Sequence, residues 1–79
     1  MYPYENLDSV CEWYFKVKGS RKGINPFINA AKEVGSKTNS GAYIFKDEQA
    51  LFRVFQRFLG EELKAKKINS FGELLQYVC

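Results

Sequence analysis

The 79 residues of this chain include no histidine and only two cysteines, Cys11 and Cys79. Without histidine, the chain has no side chain that ordinarily gains and loses a proton near neutral pH, and no imidazole to bind a metal ion. Two cysteines this far apart form neither a disulfide framework nor a zinc site. Cys11 lies in an apolar pattern with no base beside it, which is typical of a core residue rather than a nucleophile. The sequence therefore predicts no metal ion and no cofactor.

A pair of carboxylates placed to act as general acid and base is also lacking. Glu61 and Glu62 are adjacent, but consecutive residues on a helix point about 100° apart, so these two cannot face one substrate. Because no nucleophile–base pair is present either, we expect no catalytic residues, no small-molecule substrate and no enzymatic activity.

Long apolar runs are absent as well, since none approaches the roughly 18 residues that a membrane-spanning helix needs. The first nine residues, MYPYENLDS, have neither the basic start nor the apolar stretch of a secretory signal. We therefore expect a cytoplasmic protein that does not contact a membrane. The length predicts a single helical domain, residues 1–79, with residues 1–6 as an extended N-terminal arm because Pro3 disfavours helix at Tyr2.

The chain is rich in aromatic side chains, with seven Phe, five Tyr and one Trp. They are densest in its strongest helical pattern, residues 46–68. The residues that recur there at the spacing of one helix face are Leu51, Val54, Phe55, Phe58 and Leu59. Together with their neighbours they form an apolar arc over roughly half of the helix circumference, which is wider than a helix covered on one side needs.

The width of this arc has two interpretations. Either the helix is central and packs against neighbours on two sides, or one flank of the arc contacts a second molecule. We expect Phe52, Leu59 and Leu63 to form such a flank, uncovered in the monomer. Trp13 is a further candidate contact, because the chain has more aromatic rings than a thin core can bury.

Gly60 interrupts the same helical pattern. Glu62 would fall within the apolar arc if the helix continued straight, and a charge there is costly. We therefore expect a kink, a helix end at Gly60, or emergence of the helix from the core by Glu61.

The predicted fold class is all-α, a small compact bundle of about four helices. The predicted helices cover residues 8–18, 26–34, 47–66 and 70–78. Their predicted N-caps are Ser9 or Asp8, Asn25, Asp47 and Ser70. The predicted core is Leu51, Phe55, Phe58, Leu59, Val10, Tyr14, Ile28, Val34, Leu74 and Leu75. An α+β alternative stays open, because residues 13–17 and 43–45 have strand-forming side chains and could pair as a short two-stranded element.

Basic residues form two groups. The candidate contacts to an anion or a nucleic acid are Lys16, Lys18, Arg21, Lys22, Arg53, Arg57 and Lys64. Two of them precede the glycine-bounded loop of residues 19–23 and two lie within it, and the other three share one side of the predicted central helix. Arg53 and Arg57 repel each other at i, i+4 unless an anion lies between them. A solvated charged surface is the simpler interpretation, since the net charge is only +3.

These features favour a non-enzymatic protein–protein interaction module that self-associates through the central helix. Its expected partner is another protein, a second copy of the chain, or both. A small size without catalytic residues is typical of adaptors, antitoxin-like inhibitors and virus-encoded modulators of a host. The alternative is a small basic protein that binds nucleic acid.

Overall fold

In the computed structural model, which describes residues 5–79, four helices and a small sheet surround one hydrophobic core. The helices are α1 (Leu7–Lys18), α2 (Ile24–Val34), α3 (Glu48–Ala65) and α4 (Phe71–Val78). The strands are β1 (Glu5–Asn6), β2 (Ser36–Lys37) and β3 (Tyr43–Phe45). The predicted bundle of four helices is confirmed. Of the predicted N-terminal arm, residues 1–4 lie outside the described residues, and residues 5–6 form β1.

The sheet has β3 at its centre, paired antiparallel with β1 on one side and β2 on the other. The alternative pairing of residues 13–17 with residues 43–45 is wrong, because residues 13–17 are helical in α1. Trp13, Tyr14 and Val17 have helical spacing and are buried together. Tertiary packing therefore overrides their preference for strands.

α1 begins after Asn6, whose side-chain oxygen accepts a hydrogen bond from the Ser9 amide at 2.9 Å. The predicted cap at Ser9 or Asp8 is wrong. Asn6 leaves β1 in the extended conformation that an N-cap residue needs, so the helix starts earlier. Gly19 ends the helix in the left-handed conformation, with φ 86°, as its position after Lys18 predicts.

α2 begins at Ile24 and has no side-chain cap. The predicted cap at Asn25 is therefore wrong, and Pro26 is the third helical residue rather than the first. Proline is accepted there because the amides of the first turn have no acceptor within the helix. The Tyr14 hydroxyl donates a hydrogen bond to the Lys22 carbonyl at 2.7 Å, which anchors the loop before the helix.

α3 and α4 begin where the sequence predicts. The Asp47 carboxylate accepts from the Ala50 amide at 3.1 Å, and the Ser70 hydroxyl accepts from the Glu73 amide at 3.2 Å. The Glu73 carboxylate accepts in turn from the Asn69 amide at 2.6 Å. This is a capping box in which the returning bond reaches one residue further back than usual.

α3 bends at the predicted place. Leu59 has non-helical angles, φ −129° and ψ 27°, immediately before Gly60. Leu63 is buried beyond the bend, whereas Glu62 is only partly covered and its carboxylate lies 3.7 Å from the Lys18 ammonium. The helix therefore continues past the bend, and Glu62 does not enter the core as an unpaired charge.

α3 is the central helix, in contact with α1, α2 and α4. The predicted core residues that are buried are Val10, Tyr14, Leu51, Phe55, Leu59, Leu74 and Leu75. The predicted core residues Phe58, Ile28 and Val34 are only partly buried. The ring of Phe27 in α2 lies 5.1 Å from that of Phe55 and 6.0 Å from that of Phe58, so aromatic contacts join α2 to α3.

Two glycines are expected to respond in opposite directions to substitution by alanine. A β-carbon at Gly35 would lie 2.8 Å from Cε1 of Phe45, so Gly35→Ala is expected to destabilise the fold by about 1–3 kcal/mol through overpacking. At the exposed Gly60 a β-carbon meets no neighbouring group within 4 Å. Gly60→Ala is therefore expected to stabilise α3 by about 0.5–1 kcal/mol. Urea unfolding measures the free energy of unfolding of both variants. A value for Gly35→Ala equal to that of the wild type would contradict the described packing of Phe45 against Gly35.

Candidate interaction surface

The four residues predicted as protein contacts are all buried within the chain. Their exposed fractions are 8% for Phe52, 0% for Leu59, 2% for Leu63 and 5% for Trp13. Trp13 packs edge-on against Phe71 of α4, with 5.9 Å between the ring centroids. The prediction of a flank uncovered in the monomer is wrong, because the other three helices enclose the wide arc of α3. A contact between any of these four residues and a partner stays a prediction.

The side of α3 that faces solvent is polar and basic. We call it the outer face of α3 and define it by its exposed residues Gln49, Arg53, Gln56, Arg57 and Lys64. No Asp or Glu occurs between residues 49 and 60, and the exposed Glu61 follows Arg57 by four residues. Among the described residues, the one ion pair joins Lys18 and Glu62. None of these three cations therefore forms an ion pair with a carboxylate of the described side chains, those of residues 6–79.

A groove of about 280 Å³ runs beside this face, between α3 and the start of α4. We call it the α3–α4 groove, and its lining residues are Gln49, Phe52, Arg53, Gln56, Asn69, Ser70 and Phe71. Its two phenylalanines are almost buried, at 8% exposure each, so little of either residue reaches the surface. The groove thus combines a narrow apolar floor with amide, hydroxyl and guanidinium groups.

The four predicted cations near the first loop do not converge on one site. The Lys16 ammonium donates to the Val78 carbonyl at 2.9 Å, and Lys18 pairs with Glu62. The Arg21 guanidinium lies 5.1 Å from the centre of the Phe15 ring. The Lys22 side chain is exposed. These partners lie on three different helices, α4, α3 and α1, so three of the four cations have contacts within the chain, and an anion contact by any of the four stays a prediction.

Exposed aromatic rings are found at two places in the described part of the chain, Phe15 at 38% and Tyr77 at 47%. Each lies beneath a cation. Arg21 covers Phe15, and the Lys66 ammonium lies 5.9 Å from the centre of the Tyr77 ring. Such cation–π contacts leave less of each ring free to stack on a ligand.

Cys11 is half-buried rather than fully enclosed. Burial raises the pKa of its thiol, and the Asp8 carboxylate acts in the same direction, against smaller opposing effects of Arg21 and Lys32. The thiolate is the reactive form, so Cys11 is expected to react with iodoacetamide more slowly than the exposed Cys79 at mildly alkaline pH. Mass spectrometry of the labelled peptides measures the two rates. Faster labelling of Cys11 would contradict its described surroundings.

Among the described side chains, those of residues 6–79, no three His, Cys, Asp or Glu are grouped as ligands for a metal ion. Every buried side-chain nitrogen or oxygen in the same range has a hydrogen-bond partner. None of the described helices is long and apolar enough to cross a membrane.

The α3–α4 groove was not predicted from the sequence. The sequence feature that indicates one wall of the groove is a polar stripe beside Phe52, formed by Gln49, Arg53 and Gln56 at the spacing i, i+4, i+7. The other wall, Asn69 and Ser70, is 13 residues or more away in the sequence and meets the stripe only because α4 folds back. Comparison of the chain with protein-family models, with curated proteins and with solved structures gives no match.

Proposed function

We propose that this chain is a non-enzymatic protein–protein interaction module, of the adaptor or inhibitor type, that binds its partner through the outer face of α3. One observation carries the proposal. Arg53, Arg57 and Lys64 are exposed without a carboxylate partner among the described residues, and they lie beside a groove with an aromatic floor. Arginine beside partly accessible aromatic rings is the composition that interface centres favour.

A second copy of the chain does not suit this surface. A two-fold dimer places the same patch of both copies face to face. With the two-fold axis near Arg53 and Arg57, these residues of one copy would meet the same residues of the other, and like charges brought together across an interface are unfavourable. The proposed partner is therefore a different protein with an acidic surface. Self-association through the apolar arc would require the core around α3 to open.

Nucleic acid is the second candidate, favoured by the same three cations of the outer face. Phosphates would relieve the repulsion between Arg53 and Arg57. Two features favour a protein instead. Phe15 and Tyr77, the exposed rings of the described region, are covered by cations, whereas binding of single strands relies on open rings for stacking. The apolar floor of the groove also has no role in contacting a phosphate backbone.

Affinity capture from a lysate of the native cells, with and without nuclease, separates the two candidates. The proposal expects the same protein to be recovered in both conditions. Nucleic-acid binding expects many partners that disappear with nuclease, and a direct affinity for DNA or RNA that falls steeply with salt. Nuclease-sensitive recovery alone would contradict the proposed function. The cytoplasmic location expected from the sequence stays a prediction.

A further inference from the structure

The geometry points to one class of partner for the α3–α4 groove: an acidic peptide segment of another protein that carries a single apolar anchor residue. This inference rests on the proposed function and specifies the chemistry of its ligand. Its starting point is the lining of the groove, in which one arginine, three amide residues, one serine and two phenylalanines surround a single depression.

The charge of the groove selects an acidic ligand. Arg53 lines it, Arg57 lies one helical turn further along the same exposed side, and no carboxylate belongs to the lining. Glu73, in the first turn of α4, is outside the lining, and its carboxylate already accepts a hydrogen bond from the backbone amide of Asn69 at 2.6 Å. A carboxylate of the ligand would meet the guanidinium of Arg53 in a charge-assisted hydrogen bond, which is stronger than a neutral one. A basic segment would be repelled from the same place.

The size of the groove suits one side chain of a larger ligand. Its volume of about 280 Å³ is close to the lower limit of the range of roughly 300–1,000 Å³ typical of pockets that enclose a drug-sized ligand. Phe52 and Phe71, each 8% exposed, are the two apolar side chains of the lining. One apolar side chain of the ligand lying against them would bury their remaining accessible surface and displace water from it.

The amide groups of the walls suit the backbone of an extended peptide. Gln49 and Gln56 on one wall and Asn69 on the other each offer both a donor and an acceptor. Gln49 and Gln56 are separated by seven residues, or about 10 Å along the helix axis. An extended segment covers that length with about three residues. The groove therefore has room for a short extended segment in which an acidic residue stands directly beside the apolar residue.

Selection from a random 12-residue peptide library displayed on phage, with the full chain as bait, tests this inference. The expected result is enrichment of peptides in which Asp or Glu flanks one aliphatic or aromatic residue. A synthetic peptide with the enriched sequence should then lose at least roughly tenfold in affinity for the Arg53→Glu variant, because the carboxylate would face a carboxylate. The matched control is Lys37→Glu, the same charge reversal on β2, which should bind like the wild type.

The outcomes separate the inference from the proposed function. Selected peptides without acidic enrichment that still depend on Arg53 would overturn the inference and leave the proposed function standing. The same holds if no peptide is selected while a protein partner captured from lysate depends on Arg53. Acidic peptides that bind Arg53→Glu and the wild type equally would overturn the inference by placing the site elsewhere. If the wild-type chain binds DNA or RNA but neither a peptide nor a protein, the inference and the proposed function are both overturned.

Discussion

Replacing Phe55 with alanine is expected to lower the free energy of unfolding by about 3–5 kcal/mol, the range for deleting a fully buried ring. Phe55 is 0% exposed, and its ring lies 5.1 Å from Phe27 and 6.5 Å from Trp13. It therefore joins α3 to both α2 and α1. Since a domain of this kind has a total stability of only about 5–15 kcal/mol, the variant is expected to be partly or wholly unfolded at 37 °C.

The control for this prediction is Phe15→Ala, which removes the same ring from a position that is 38% exposed. Its effect should be much smaller, because little of the ring leaves a packed environment. Thermal unfolding followed by circular dichroism measures both variants. A melting temperature of Phe55→Ala equal to that of the wild type would show that α3 does not pack as described.

Replacing Phe52 with aspartate is expected to unfold the protein. The sequence alone predicts the opposite, that this change removes binding and leaves the fold intact, because it places Phe52 on an uncovered flank. In the structure Phe52 is 8% exposed. The substitution removes about 3–5 kcal/mol of ring packing and adds a carboxylate that has no partner in an apolar site. The combined loss is comparable to the whole stability of a small domain.

The neighbouring exposed position supplies the control for Phe52→Asp. Arg53→Asp introduces the same side chain one residue later, on the outer face of α3, and should leave a folded protein. Backbone NMR spectra of the two variants distinguish the cases. A dispersed, native-like spectrum for Phe52→Asp would contradict the burial of Phe52 and restore the interpretation of an uncovered flank.

Much of the helical framework could be predicted from local chemistry. Asp47 and Ser70 are caps that act within their own first turns, and the bend lies beside Gly60, where Glu62 interrupts the apolar pattern. These features depend on neighbours within four residues, so the sequence contains their causes. The cap of α1 was mispredicted because Asn6 takes its extended conformation from β1, and strands of two or three residues are too short to give a periodic signal.

The role of the wide apolar arc could not be decided from the sequence. Phe52, Leu59 and Leu63 have the same pattern whether another helix of the same chain or a second molecule covers them. The structure places the other helices over the arc, and three-helix coverage depends on contacts between residues far apart in the chain. The polar stripe opposite the arc was visible as Arg53, Arg57 and Lys64. The groove beside it was not, because its second wall comes from α4.

The central claim is that the protein binds through the outer face of α3, and a pair of charge reversals tests it most directly. The double variant Arg53→Glu/Arg57→Glu reverses the charge at two positions of the outer face of α3. The double variant Lys37→Glu/Lys46→Glu makes the same change in net charge at exposed positions outside α3. Quantitative mass spectrometry of proteins captured from nuclease-treated native lysate would compare both variants with the wild type. We predict that a partner retained by the wild type and by the Lys37/Lys46 variant is lost from the Arg53/Arg57 variant. An identical set of captured proteins for all three would contradict the claim.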